Sequence, residues 1–277
     1  MVNKDNIIKE EFPNISYLIK TLETRENNEE MRHEHSSRSN SYDFTRTSSY
    51  EEAVKKLYDG DKEIADRIEK KITTLDLSDY MPRRRVQTGP VGYVPHVPNA
   101  ILGLPNSMIK MESEAMKNKS IMITTSVCNN SSTSAENLEK CGVALLGVIN
   151  ALELSGHRVK VRVSFFDCEN AYNNKYTMAT VVVKDYGEQL DLRKLSFPVA
   201  HPSMFRRIGF KWLETVPGLE RGSGFSSGYG HHCGAYAYRN AGVLEKNEIY
   251  LDYDTIYGNN FDVARILENE FDERKKS

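Results

Sequence analysis

Between Ser120 and Lys184 the apolar residues change period repeatedly, and that succession restricts the chain to folds that lay helices on a sheet. Ile121-Met122-Ile123-Thr124-Thr125-Ser126-Val127 is a short, largely apolar run, suited to a buried strand. A polar loop over residues 128–132 comes next, and Thr133 with Glu136 has capping-box spacing. Leu138, Cys141, Leu145, Val148, Ile149 and Leu152 then recur on one helical face, which Ser155-Gly156 brings to a stop. Val159, Val161, Val163 and Phe165 alternate with Lys160, Arg162 and Ser164, the pattern of a half-buried strand. Residues 170–175 read as a turn and residues 176–184 as the returning strand. Residues 190–213 read as mainly helical with breaks at Pro198 and Pro202, residues 248–253 as a strand, and residues 261–271 as a last helix. Strands alternating with helices predict an α/β fold, a three-layer sheet with helices on both faces and right-handed crossovers between parallel strands.

The N-terminal half is organised differently. Ile7, Ile8, Phe12, Ile15, Leu18 and Ile19 predict a short amphipathic element. Residues 27–49 are dominated by Asn, Glu, Arg, His and Ser and read as a linker or mobile loop, because they offer little apolar surface to offset their ordering entropy. Ser49 with Glu52 marks a helix start, and Asp59-Gly60-Asp61 divides the helical stretch there into two short helices. Residues 81–105 carry five prolines and read as an irregular strap whose apolar residues (Val86, Val91, Tyr93, Val94, Val97, Ile101, Leu102) lie along the next domain. The expected division is 1–48, an N-terminal arm and polar linker; 49–119, a helical segment and proline-rich strap; and 120–277, the α/β domain.

Composition removes several functional classes. The formal net charge of -2 argues against a protein that coats nucleic acid. No apolar run approaches about 18 residues, so no membrane span is expected, and the first residues lack the apolar stretch of a signal peptide. Cys128, Cys141, Cys168 and Cys233 form no CxxC pair and are expected as reduced thiols in a cytoplasm.

A strand ending in a Ser/Asn loop, a capped helix, a strand, and a hairpin to an antiparallel strand resembles the opening of a von Willebrand factor A domain, over roughly residues 120–271. In that family the first loop carries Asp-x-Ser-x-Ser, whose carboxylate and hydroxyls hold a divalent cation. The matching loop here is Ser126-Val127-Cys128-Asn129-Asn130-Ser131-Ser132, with Ser126 where the Asp would stand. The resemblance implies the architecture and a binding face at Ser126, Asn129, Asn130, Ser131 and Ser132, whereas hydroxyls without a carboxylate make a poor cation site. The whole chain also resembles a group of tailed-bacteriophage proteins. Thr47-Ser48-Ser49-Tyr50-Glu51-Glu52-Ala53, the strap Gly92-Tyr93-Val94-Pro95 through Pro98, and residues 191–197 running into His201-Pro202-Ser203-Met204-Phe205-Arg206-Arg207 carry that likeness. It implies a viral or prophage origin and a stage in the host cytoplasm, with the virion as an alternative location.

Several constellations bear on chemistry. His231-His232-Cys233 is the densest set of metal-capable side chains, yet adjacent residues seldom ligate one ion, and no metal or cofactor is expected. Residues 222–230 are glycine-rich but lack both the Gly-Lys-Ser/Thr ending and the strand context of a nucleotide loop. His201 near Arg206 and Arg207 has the makings of acid–base work on a phosphate ester, or of a helix cap beside two paired arginines. Asp252 and Asp254 close a strand at the carboxyl edge of the sheet, where Asp167 and Glu169 end another. The expectation is a non-enzymatic protein that binds a phage or host protein, as an assembly component or an inhibitor of a host defence complex, with Arg206 and Arg207 on the binding side. Self-association into a homo-oligomer is compatible with this. A metal-dependent phosphoesterase or nuclease using Asp252, Asp254 and His201 is one alternative. A nucleic-acid module using Arg83 to Arg85 and the tyrosines of residues 229–238 is the other.

Overall fold

The computed structural model describes residues 7–26, 42–72, 84–113, 120–154, 156–170 and 175–219, together with 234, 238, 245, 248–252 and 256. In chain order these form strand β1 (Ile7–Phe12), helices α1 (Ile15–Thr24), α2 (Tyr42–Thr45), α3 (Tyr50–Asp59) and α4 (Lys62–Ile72), then β2 (Arg84–Gly89), β3 (Val94–Pro95), α5 (Val97–Ile101) and β4 (Met108–Ser113). The strand-and-helix succession continues as β5 (Ser120–Ser126), α6 (Ala135–Leu154), β6 (Arg158–Asn170) and β7 (Lys175–Lys184). Helix α7 (Leu192–Ala200), a π-helical turn (Met204–Gly209), α8 (Phe210–Thr215) and β8 (Glu248–Leu251) complete it.

The main sheet has the order β1-β7-β6-β5-β8. Strands β5 and β6 are parallel neighbours, β8 lies parallel on the other side of β5, and β7 turns back antiparallel to β6. The protein is therefore α/β with a mixed sheet. One face is apolar: Ile121, Ile123, Val159, Val161, Val163, Phe165, Ala179, Val181, Ile249 and Leu251 are all nearly or fully buried. Helices α1, α3, α4, α6, α7 and α8 bury their own apolar residues in that same cluster, so these six helices cover this one face. On the opposite face Phe166, Met178 and Tyr238 pack with Tyr176 and Tyr250. There Arg162 donates to Glu248, Glu245 and Thr124 at 2.6–3.1 Å, and the Tyr238 hydroxyl donates to Glu248 at 2.9 Å.

The short amphipathic element is divided in two: Ile7 to Phe12 is a strand, and the chain is helical from Ile15. The strand pairs parallel to β7 from Ile7↔Tyr176 to Phe12↔Val181 and closes one edge of the sheet. The inward Glu10 is half-buried by this arrangement. It accepts from Trp212 Nε1 at 2.7 Å and from the Arg25 guanidinium at 2.6 and 2.9 Å. Burial alone would raise its carboxyl, but those donors hold it below the usual carboxylate range. Exposed Lys9 and Glu11 pair along the strand and place charge on the sheet edge.

The break between α3 and α4 falls where the sequence places it. Gly60 has φ 76°, and a Cβ there would lie 2.2 Å from the Arg193 carbonyl oxygen. Asp61 caps α4 through Ile64 N at 3.0 Å. Pro198 does not break α7, which runs through it to Ala200, whereas the chain does turn at Pro202. Helix α6 begins one residue later than expected, because Ser134 and not Thr133 accepts from Asn137 N, at 3.2 Å.

The strap is regular, which corrects the expectation of an irregular segment lying along the α/β domain. Strands β2, β4 and β3 form a separate antiparallel sheet with α5 between β3 and β4. Its prolines stand where no amide donor is needed: Pro95 ends a two-residue edge strand, and Pro98 is in the first turn of α5. Gly92 lets the chain pass close to β4, since a Cβ there would sit 2.2 Å from the Ile109 carbonyl oxygen.

Helices α6 and α7 touch at Gly142, where a Cβ would lie 2.4 Å from Ala200 Cα and 2.8 Å from the Val199 carbonyl oxygen. Gly142→Ala must force the helices apart despite its better helix propensity. The expected loss is about 1–3 kcal/mol by chemical denaturation. A variant as stable as the parent would show that this contact yields freely.

Candidate functional site

The loop between β5 and α6 leaves the carboxyl edge of the parallel strands, and two buried arginines fix its shape. Arg206 and Arg207 sit in the π-helical turn and are 1% and 0% exposed. Arg206 donates through Nε to Asn129 Oδ1 at 3.1 Å, and through Nη2 to the carbonyls of Asn130 at 3.3 Å and Thr133 at 2.6 Å. Its Nη1 donates to the Phe44 carbonyl at 2.7 Å, with the guanidinium 3.8 Å over the Phe44 ring. Arg207 donates to the Thr47 carbonyl at 3.0 Å and, at 3.4 Å, to the hydroxyls of Thr45 and Thr47. Ser203 completes the attachment by bonding the Thr45 carbonyl and the Thr47 hydroxyl.

Residues 42–49 are thus bound to the body of the protein, a correction to their reading as linker; residues 27–41 lie outside the described residues. Composition failed here because polar groups supplied with buried donors need no apolar surface to be ordered. Of the predicted binding set, Ser126, Asn129, Arg206 and Arg207 are buried, Asn130 is half-buried, and Ser131 and Ser132 are exposed. What reaches solvent is a polar knob beside a shallow hollow of about 500 Å³, lined by Ser132, Thr133, Ser134, Glu136, Asn137 and Lys140. The loop thus has its carbonyls fixed by buried donors on the inside and presents hydroxyls to solvent on the outside.

Of the predicted catalytic set, His201 and Asp252 are among the described residues. His201 caps α7, accepts from Ser203 N through Nδ1 at 3.1 Å, stacks on Phe197 at 4.5 Å, and has Nε2 3.9 Å from Asp61. Burial holds its imidazole well below the ordinary value of 6.5, although the Asp61 carboxylate opposes this. Burial pushes Asp61 the other way. Even so, the Lys56 ammonium at 2.8 Å and the Ile64 amide keep that carboxyl below its usual range. Asp252 follows β8 and lies near Gly234, while Asp254, His231, His232 and Cys233 fall outside the described residues. Asp167 is fully buried, and strand alternation puts it on the face of Val163 and Phe165. Burial, with Asp167 nearby, pushes the Cys128 thiol well up, so it stays protonated. Among the described residues no three His, Cys, Asp or Glu side chains come together as a metal site.

The second surface is the small sheet. Val91, Tyr93 and Ile101 are 77%, 82% and 79% exposed, and Val94, Val97, Leu102 and Leu104 lie open beside them. The remaining exposed large apolar side chains among the described residues, Tyr17, Tyr42, Tyr58 and Leu154, are scattered over four other elements. Six of these seven platform residues stand out in the sequence, but their exposure does not. The available signal is their lack of any alternation that would give them a buried face.

A family model described as "Domain of unknown function (DUF7192)" matches residues 2–271, so the chain belongs to that family. No curated protein and no solved structure matches it significantly. The matched span takes in every described strand and helix, the small sheet included.

Two outcomes are expected. Arg206→Lys keeps the charge but loses the fork, stranding the carbonyls of Phe44, Asn130 and Thr133. It should cost about 3 kcal/mol or more and speed amide exchange in both residues 42–49 and 127–134. Exchange confined to one loop would refute the shared attachment. Because His201 titrates lower when folded than when unfolded, its stabilising contribution is complete above pH 6.5 and is lost as pH falls below it. Asp61, also depressed, acts in the same direction at more acid pH. Denaturation midpoints should fall between pH 7 and pH 5, and His201→Asn should flatten that slope; an unchanged slope would show another group responsible.

Proposed function

We propose that this DUF7192 member works by binding another protein and not by catalysis. The observation that carries the reading is the exposed apolar platform of residues 91–104, whereas the other large apolar residues among those described are mostly buried or exposed singly. Seven exposed large apolar side chains within one short stretch of chain are costly in water, and such concentrations mark interaction sites. The edge loop supports the reading independently: Arg206 holds it rigid, so Ser131 and Ser132 meet a partner without much ordering cost.

We read the main sheet as von Willebrand A-like. Its order β7-β6-β5-β8, with β7 antiparallel and the others parallel, supports this, as does a loop after β5 that stands where such domains bind partners. The likeness to tailed-phage proteins favours a role in the cytoplasm of an infected bacterium, as an assembly component or as an inhibitor of a host defence complex. No helix among the described residues is long and apolar enough to cross a membrane.

Affinity capture from infected cells, with the parent chain and with Tyr93→Asp/Ile101→Asp, tests the reading. The parent should retain a defined protein that the double variant loses, while Asp252→Ala retains it. Turnover of nucleic acids or cyclic nucleotides by the pure protein, abolished by Asp252→Ala, would overturn it.

A further inference from the structure

The platform has a chemical peculiarity beyond its exposure. From Gly89 to Ile109 the chain contains no Asp, Glu, Lys or Arg, although 27% of its residues are charged. Its polar groups are largely spent internally. The His96 side chain accepts from Asn99 N at 3.4 Å, the Asn99 side chain donates to the Asn106 carbonyl at 2.9 Å, and Tyr93 and His96 amides bond β4 and its approach. A partner surface must therefore be apolar and uncharged, since any charge placed against it would be desolvated without compensation.

Among the described residues one surface meets that requirement, and it is the platform itself. Among the described residues, Tyr17, Tyr42, Tyr58 and Leu154 are too dispersed to offer a second patch for association between unlike faces. Like-to-like contact remains, and an isologous contact closes at two copies. The area is adequate. At the exposures given, the seven residues together expose on the order of 800 Å², close to one partner's share of a stable interface.

We propose that the chain forms a two-fold dimer through this platform, with Tyr93, Val97, Ile101 and Leu102 of each copy buried against the same residues of the other. This rests on the reading of the platform as a protein-docking surface and names its occupant. Helix α5 supplies Val97 and Ile101 on a short rigid element, and the Gly92 crossing holds Tyr93 beside them. Tyr93 and Ile101, the two most exposed, are the anchors whose loss costs most.

Sedimentation equilibrium of the full chain from about 1 to 100 μM tests this. The expected species is twice the 31.6 kDa chain mass. Tyr93→Asp and Ile101→Asp should each raise the dimer Kd at least about tenfold, and together give monomer. Both side chains lie in solvent, so the thermal melt of the variants extrapolated to low concentration should match the parent. A parent that stays monomeric to 100 μM, or a double variant that stays dimeric, overturns the proposal. Failure here separates from failure of the functional reading. A monomeric parent whose captured partner is lost on Tyr93→Asp/Ile101→Asp leaves the platform a docking surface for a different protein. A dimer abolished by those changes while capture persists assigns the platform to self-association and moves partner binding elsewhere.

Discussion

Two guanidinium groups in one wide helical turn hold together parts of the chain that have nothing else in common. Burying Arg206 and Arg207 is expensive, and the expense is met by carbonyls and hydroxyls that are themselves short of donors. Neither side is stable alone. The loop after β5 and the segment before α3 lack apolar residues enough to order themselves, and the arginines lack water. Once joined, the segments supply one another's hydrogen bonds. The geometry asks for arginine specifically, because three carbonyls and an amide oxygen lie around one planar fork, and an ammonium cannot reach them together.

The residues legible in sequence are those whose environment is periodic. Ile121 and Ile123, Val159 through Phe165, and Leu138 through Leu152 meet across one interface, so their spacing carries the geometry directly. Features fixed by long-range partners are not legible. Glu10 reads as an exposed acid until Trp212 and Arg25 are placed beside it. Thr45 and Thr47 read as linker until Ser203 and Arg207 arrive from far along the chain. The loop residues 126–132 stand out in sequence as a unit, but which of them point inward depends on Arg206, whose role no local pattern signals. The strap misleads for the opposite reason: apolar residues are ordinarily covered, and these are not.

The two faces of the main sheet are also unlike. The helix-covered face is filled by aliphatic and aromatic side chains, with Phe165 between Phe205 and Trp212. The other centres on an ion pair, Arg162 with Glu248, boxed by Thr124 and Tyr238 and stacked over by Tyr238 on Tyr250. Apolar packing tolerates volume-conserving exchange, whereas removal of one member of such a network leaves a charge unpaired. The second face should therefore accept fewer sequences than the first.

The edge position of β1 governs the order in which the fold can assemble. Ile7 pairs with Tyr176 and Phe12 with Val181, so a strand synthesised well before its neighbour has no partner until the β6–β7 hairpin has emerged. During synthesis the segment can only wait, and its docking must close one of the longest loops in the molecule, a step favoured late on entropic grounds. Until then β7 is an open edge and Trp212 has no acceptor in Glu10. The nascent chain thus passes through a stage in which the central strands are laid down while the sheet is unsealed, and that interval is when it is most exposed to chaperones, proteases and its own neighbours on a polysome.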